Sequence, residues 1–132
     1  MEKLCSVFKP SLFMMLINIF ILSSCEKKID LGKFNSQAWI NDFNGCDGSR
    51  EIQMIYLDDI KSRFTGMRES QVIKILGKPN KQELGERNVK MYIYYYKPGK
   101  QCFMSRKSSQ TATLNIDFDA LDRIALMSRR IE

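Results

Sequence analysis

The chemistry open to this chain is bounded by what it holds and by what it lacks. It has four cysteines (Cys5, Cys25, Cys46, Cys102) and no histidine in 132 residues. A side-chain nucleophile needs a base beside it, and imidazole is the usual one. Histidine-based triads, histidine-paired cysteine nucleophiles and most zinc sites are therefore excluded. The carboxylates do not replace it. Asp58 and Asp59 are neighbours on a helical stretch, so their side chains diverge. Asp117 and Asp119 flank a turn and read as turn-capping or solvated. The loop Asn44-Gly45-Cys46-Asp47-Gly48-Ser49 can be aligned from Asp42 as a calcium loop, but Cys46 then takes a ligand position and Gln53 stands where the bidentate acid belongs. The residues thus predict no catalytic site, no metal, no cofactor and no small-molecule substrate.

The residues left for binding are aromatic. Tyr92, Tyr94 and Tyr96 alternate along one strand with Lys90 on the same face. Tyrosine beside a cation is common interface chemistry. If the helices cover the opposite face (Val89, Met91, Ile93, Tyr95), the tyrosines form an exposed docking surface. The competing reading has the rings closing a second small core under the 80–88 loop or the N-terminal tether.

The beginning of the chain says where such a surface would work. Lys3 and Lys9 precede an apolar run from Leu12 to Leu22, which ends in Ser23-Ser24-Cys25. A basic start, an apolar stretch and small residues make a secretory signal. The run from Ser11 to Ser24 is 14 residues long and holds Asn18; a membrane-spanning helix needs roughly 20 apolar residues. Leu22-Ser23-Ser24-Cys25 resembles the lipoprotein signal of bacteria, in which an aliphatic residue and two small ones precede an invariant cysteine. That resemblance implies export, lipid attachment at Cys25 and cleavage before it. Glu26, in place of the inner-membrane-retaining Asp, points to the outer membrane. The expected organisation is a signal peptide over 1–24, a lipid-anchored tether over 25–34 and one domain over 35–132. With Cys5 lost and Cys25 lipidated, Cys46 and Cys102 remain as an even pair in an oxidising compartment, where a disulfide is the default.

The whole chain carries 21 basic and 15 acidic residues, net +6. Loss of Lys3, Lys9 and Glu2 lowers this by one. A moderately basic surface favours anionic partners, although it also simply aids solubility. Export argues against nucleic acid as the partner.

The positioning elements follow from periodicity. Asn35 or Ser36 caps a helix from Gln37 to about Asn44, with Trp39, Ile40 and Phe43 on one face and Trp39 as a core anchor. A second helix spans Glu51 to about Arg63, its buried stripe read as Ile52, Ile55, Tyr56 and Ile60. A third occupies the stretch Gly66–Pro79, burying Val72, Ile75 and Leu76, with Gly77 ending it in the left-handed region and Pro79 barring continuation. Residues 80–88 read as a charged loop. Period two then takes over, with strands at Val89–Tyr96, Gln101–Arg106, Thr111–Phe118 and Arg123–Ser128. Lys97-Pro98-Gly99-Lys100 has type II turn chemistry. Helices followed by an antiparallel meander give an α+β two-layer sandwich, with N-terminal helices on one face of a three- to four-stranded sheet.

Gly66-Met67, Gln71-Val72, Leu76-Gly77-Lys78-Pro79, the tyrosine-rich strand, Ile116-Asp117-Phe118-Asp119 and Arg123-Ile124 occur in the order and spacing of the BamE (SmpA/OmlA) type of outer-membrane lipoprotein. The related fold of β-lactamase inhibitor proteins is similar too. The segment Phe34–Arg50, with Cys102, resembles lipoproteins of Bacteroidetes-type bacteria. Arg68 departs from the usual Ser or Thr helix cap, and Asp122 from the usual hairpin Gly. The resemblance implies a non-enzymatic, lipid-anchored, periplasm-facing binding or scaffold module with a protein partner in the envelope, in outer-membrane assembly or maintenance. Its alternative is an inhibitor or sensor of an envelope hydrolase.

Overall fold

A computed structural model describes residues 28–85, 89–103 and 110–132. The signal peptide, Cys25 and residues 104–109 lie outside the described residues. Among the described residues three helices precede the sheet: α1 (Ser36–Asn41), α2 (Ser49–Ile60) continued by a 3₁₀ turn (Lys61–Phe64), and α3 (Glu69–Leu76). Four strands follow: β1 (Lys81–Leu84), β2 (Lys90–Tyr95), β3 (Ala112–Phe118) and β4 (Ile124–Ile131). They pair antiparallel in the order β1-β2-β3-β4, with the helices packed on one face. The fold is the expected α+β sandwich.

Each helix start is satisfied differently. Asn35 Oδ1 accepts from Ala38 N at 3.0 Å and caps α1. Ser36 is occupied elsewhere, its hydroxyl donating to the Ile75 carbonyl. The Asp42 carboxylate accepts from Asp47 N (3.1 Å) and Arg50 N (3.0 Å), so α2 is capped from the preceding loop. At α3 the unusual Arg68 is compensated. Gln71 Oε1 accepts from Arg68 N at 3.1 Å, and the Asp122 carbonyl accepts from Glu69 N at 2.9 Å. The hairpin between β3 and β4 thus supplies an acceptor at a helix start that has no Ser or Thr cap.

The buried stripe of α2 is Met54, Leu57 and Ile60, joined by Arg50. Of the expected stripe, Ile60 is buried and Tyr56 packs partly against the core, whereas Ile52 and Ile55 are exposed. The correction has a simple cause. Arg50 carries enough apolar stem and aromatic contact to lead the buried face, which a reading based on apolar residues alone assigns to solvent.

Two further differences concern the sheet, and one the segment before α1. Residues 81–84, expected as loop, form β1 against β2, with Lys81 opposite Ile93 and Leu84 opposite Lys90. All of β1 is exposed, so no apolar alternation marked it. The expected strand over 101–106 is absent from its described part. There Cys102 N bonds to the Gly99 carbonyl at 2.9 Å, and Gln101 Nε2 donates to the Asn44 and Lys97 carbonyls. These local bonds take the groups a ladder would need. Finally, Phe34 is buried, and Ile29 and Leu31 pack against the core. Residues 29–34 therefore belong to the domain rather than to a linker.

Candidate functional site

The expected docking face is the inner one. Tyr92, Tyr94 and Tyr96 are all buried beneath the helices, Tyr94 completely. The ring of Tyr92 meets Phe118 edge-on at 4.9 Å, and Tyr94 lies 6.2 Å from Trp39. Two of these phenols have partners: Tyr94 donates to the Gly77 carbonyl at 3.0 Å, and Tyr92 donates to Glu69. Burial of a tyrosine is tolerable once its hydroxyl is satisfied. Burial, followed by the Glu69 hydrogen bond, pushes the Tyr92 phenol up to about 12, and burial raises Tyr94 further.

Lys90 is not an open interface cation either. Its Nζ donates to Glu69 at 2.6 Å and Asp122 at 2.9 Å, and these two bonds raise its pKa above the ordinary lysine value. With Tyr92 it fastens the start of α3 to the β3–β4 hairpin. Asp122 sits at φ 54, which explains why glycine suits this hairpin position; here aspartate accepts the left-handed backbone and supplies a charge.

A second buried network lay beyond sequence reasoning. Arg50 Nε donates to the Trp39 carbonyl, and Nη1 donates to Asn80 Oδ1 and the Tyr95 carbonyl, all at 2.9 Å. Its guanidinium lies 4.9 Å from the Trp39 ring centre and 5.7 Å from that of Tyr94. Desolvation lowers its pKa to about 10, with Asp42 acting in the other direction. Beside this network the structure joins Cys46 to Cys102, with Cα atoms 5.8 Å apart. The bridge ties the α1–α2 loop to the segment after β2. Asp42 and Cys46 lie in the loop that leads into Arg50 at the start of α2, and that concentration of special residues was the available signal.

With the tyrosines inside, the face turned away from the helices is the opposite sheet face, on which Ile93, Thr113 and Asn115 are themselves buried. Antiparallel register puts Lys81 and Glu83 of β1 beside Met91, Ile93 and Tyr95 of β2. Thr113, Asn115 and Asp117 follow on β3, then Leu126, Ser128 and Arg130 on β4. A recess of about 140 Å³ opens here, rimmed by Lys81, Glu83, Arg130 and Glu132. Its floor includes Asn115, only 3 % exposed, whose Oδ1 has no hydrogen-bond partner among the described residues. The Asn115 amide nitrogen reaches only Met91 Sδ, at 3.7 Å. A buried polar atom without a protein partner is costly unless water reaches it. A second cleft, about 540 Å³, lies where the chain enters the domain, between Lys28–Asp30 and Arg63–Met67. There Arg63 pairs with Asp30 at 2.8 Å.

The acids do not converge. Asp58 pairs with Arg129 at 3.2 Å, and Asp119 Oδ1 accepts from Leu121 N and Arg123 N within its turn. Among the described residues no group of three or more His, Cys, Asp or Glu could hold a metal, and no helix is long and apolar enough to cross a membrane.

A search of curated proteins and a search of solved structures each found no match. The family model described as outer membrane protein assembly factor BamE domain matches residues 55–125. The match runs from within α2 to the start of β4 and so takes in the Glu69–Tyr92–Lys90–Asp122 clamp and most of the sheet. It covers more than half of the chain, and with helices leading into an antiparallel sheet as that resemblance implied, the chain belongs to the BamE domain family.

Proposed function

We propose that this protein is a lipid-anchored, periplasm-facing scaffold module of the bacterial envelope, which serves outer-membrane assembly or maintenance by binding a protein partner and performs no catalysis. The observation that carries this reading is the BamE family match. The anchor would be Cys25, three residues before Lys28, where the described chain begins beside the 540 Å³ cleft. The Cys46–Cys102 bridge suits an exported protein. For the docking surface, the open sheet face now takes the place of the tyrosines. It offers a mixed apolar and polar floor, four rim charges and the unpartnered Asn115 acceptor.

The test is site-specific photocrosslinking in living cells from Lys81 and Arg130, on opposite rims of the recess. Adducts with outer-membrane assembly components are the expected result. Adducts confined to a hydrolase would replace this reading with the inhibitor or sensor alternative. Intact-mass analysis of protein from its own membranes checks the anchor: an acylated chain beginning at Cys25 is expected, and an unprocessed chain would overturn the compartment.

A further inference from the structure

Strand β4 forms one side of the sheet, and its outer edge is only partly covered. At its start the edge is closed. Gly66 N donates to the Ile124 carbonyl and Ile124 N donates to the Met67 carbonyl, both at 2.9 Å. The register then shifts, Ala125 standing between Ile124 opposite Phe118 and Leu126 opposite Asp117. Beyond this bulge the ladder direction is set by the far end, where Thr111 and Glu132 exchange both backbone bonds. Antiparallel pairs alternate. Leu126, Ser128 and Arg130 therefore bond to β3, while Met127, Arg129 and Ile131 turn their N–H and C=O groups outward. Among the described residues none bonds to these outward groups.

An apolar shelf accompanies the edge. Asp58 of α2 meets Arg129 of β4. Ile55 lies one helical turn before Asp58, and Ile131 lies two strand positions beyond Arg129. Lys97, just after β2, pairs with Glu51 at 2.9 Å, so the start of α2 and the end of β4 lie at the same end of the sandwich. Ile55 and Ile131 thus flank the same stretch of edge, and each is 64 % exposed. Proteins usually blunt such an edge with charge. Here the Arg129 guanidinium is drawn toward Asp58 and Arg130 lies on the open face, so the arginines border the edge without blocking it.

We propose that the Met127–Ile131 edge accepts an extended, acidic segment of a partner protein as an added strand, with an aliphatic side chain of that segment seated on Ile55 and Ile131. The outward backbone groups supply the ladder, the shelf an apolar contact, and Arg130 the charge selection, Arg129 being shared with Asp58. A second copy of this chain fits poorly. A two-fold antiparallel pairing that uses all three outward residues centres on Arg129, setting two arginines directly opposite each other. The edge lies beyond the matched family residues, which end at 125, and it shares only Arg130 with the open face.

The test uses the full chain in detergent with two short blocked probe peptides, one alternating glutamate and valine, the other lysine and valine. Residue-resolved amide exchange is read at saturating peptide. The Met127, Arg129 and Ile131 amides should slow by roughly tenfold or more with the glutamate peptide, and not with the lysine peptide. Ile131→Pro removes an outward N–H without removing a bond to β3, and should abolish this protection. Ile131→Ala keeps the N–H and should weaken binding only in part. Equal protection by both peptides, protection confined to β1 or the open face, or no protection at all would overturn the proposal. So would sedimentation showing this edge already closed in a homodimer.

Discussion

Arg50 Nε donates to the backbone carbonyl of Trp39 at 2.9 Å while the same guanidinium lies 4.9 Å from the Trp39 ring. One residue of α1 thus offers an acceptor and an aromatic face to one residue of α2. Arg50 then reaches Asn80 and Tyr95, so the first two helices and the first two strands meet at one buried cation. Replacing it by alanine removes this donor from the buried Trp39 and Tyr95 carbonyls and leaves Asn80 Oδ1 with Tyr95 N alone. We expect a loss of about 3–5 kcal/mol in urea denaturation. Arg50→Lys should recover only a small part, because a single ammonium cannot reproduce the planar fork. Recovery of wild-type stability by lysine would show that charge alone matters here.

The clamp at Lys90 predicts alkaline sensitivity. The folded-state pKa values of Lys90, Tyr92 and Tyr94 are all raised. A raised group contributes its stability in full below its unfolded value, near 10 for all three, and loses it as pH rises through the folded value. Arg50, lowered to about 10, acts oppositely across the same range, but it is one group against three. Melting temperature should therefore fall as pH climbs above about 10. Tyr92→Phe should flatten the fall while costing about 1 kcal/mol at neutral pH. An unchanged alkaline profile in that variant would remove Tyr92 from the explanation.

The bridge between Cys46 and Cys102 spans 56 residues of sequence. Chain entropy alone suggests a stabilisation of roughly 4 kcal/mol, an upper figure for real disulfides. Reductant should lower the melting temperature of the wild-type chain and leave a Cys46→Ser/Cys102→Ser variant unmoved. The variant should melt near the reduced wild type. Equal melting with and without reductant would mean that the bridge adds nothing to stability.

Gly45 is held at φ +66, and a Cβ there would stand 2.8 Å from the Tyr95 carbonyl oxygen. That oxygen is backbone and also accepts from Arg50, so it has little freedom to move. Gly45→Ala should destabilise by about 2 kcal/mol or more. Gly48→Ala, equally left-handed at φ +81 but with open space around it, should cost less. Thermal melts of the two variants side by side separate crowding from backbone strain.

Some of this molecule could be read from local order in the chain. Helix α3 lies between Glu69 and Gly77 because an acidic first turn, a Val72–Leu76 apolar face and a glycine–proline stop all act within a few residues. Strand β3 was legible because Ala112, Leu114, Ile116 and Phe118 are apolar while their alternates are polar. The even cysteine pair and the missing histidine followed from composition. Strand β2 was different. Both its faces carry large side chains, and alternation names two faces without ranking them. The tyrosines went inward because Gly77 and Glu69, on a helix packed above them, supply partners for the hydroxyls. The α2 stripe turned for a related reason: Arg50 became a core residue only once Trp39, Asn80 and Tyr95 surrounded it. Short β1 carries no pattern of its own and exists through β2. Period and capping are properties of neighbours in sequence, whereas the burial of a polar group depends on partners that folding brings from far along the chain.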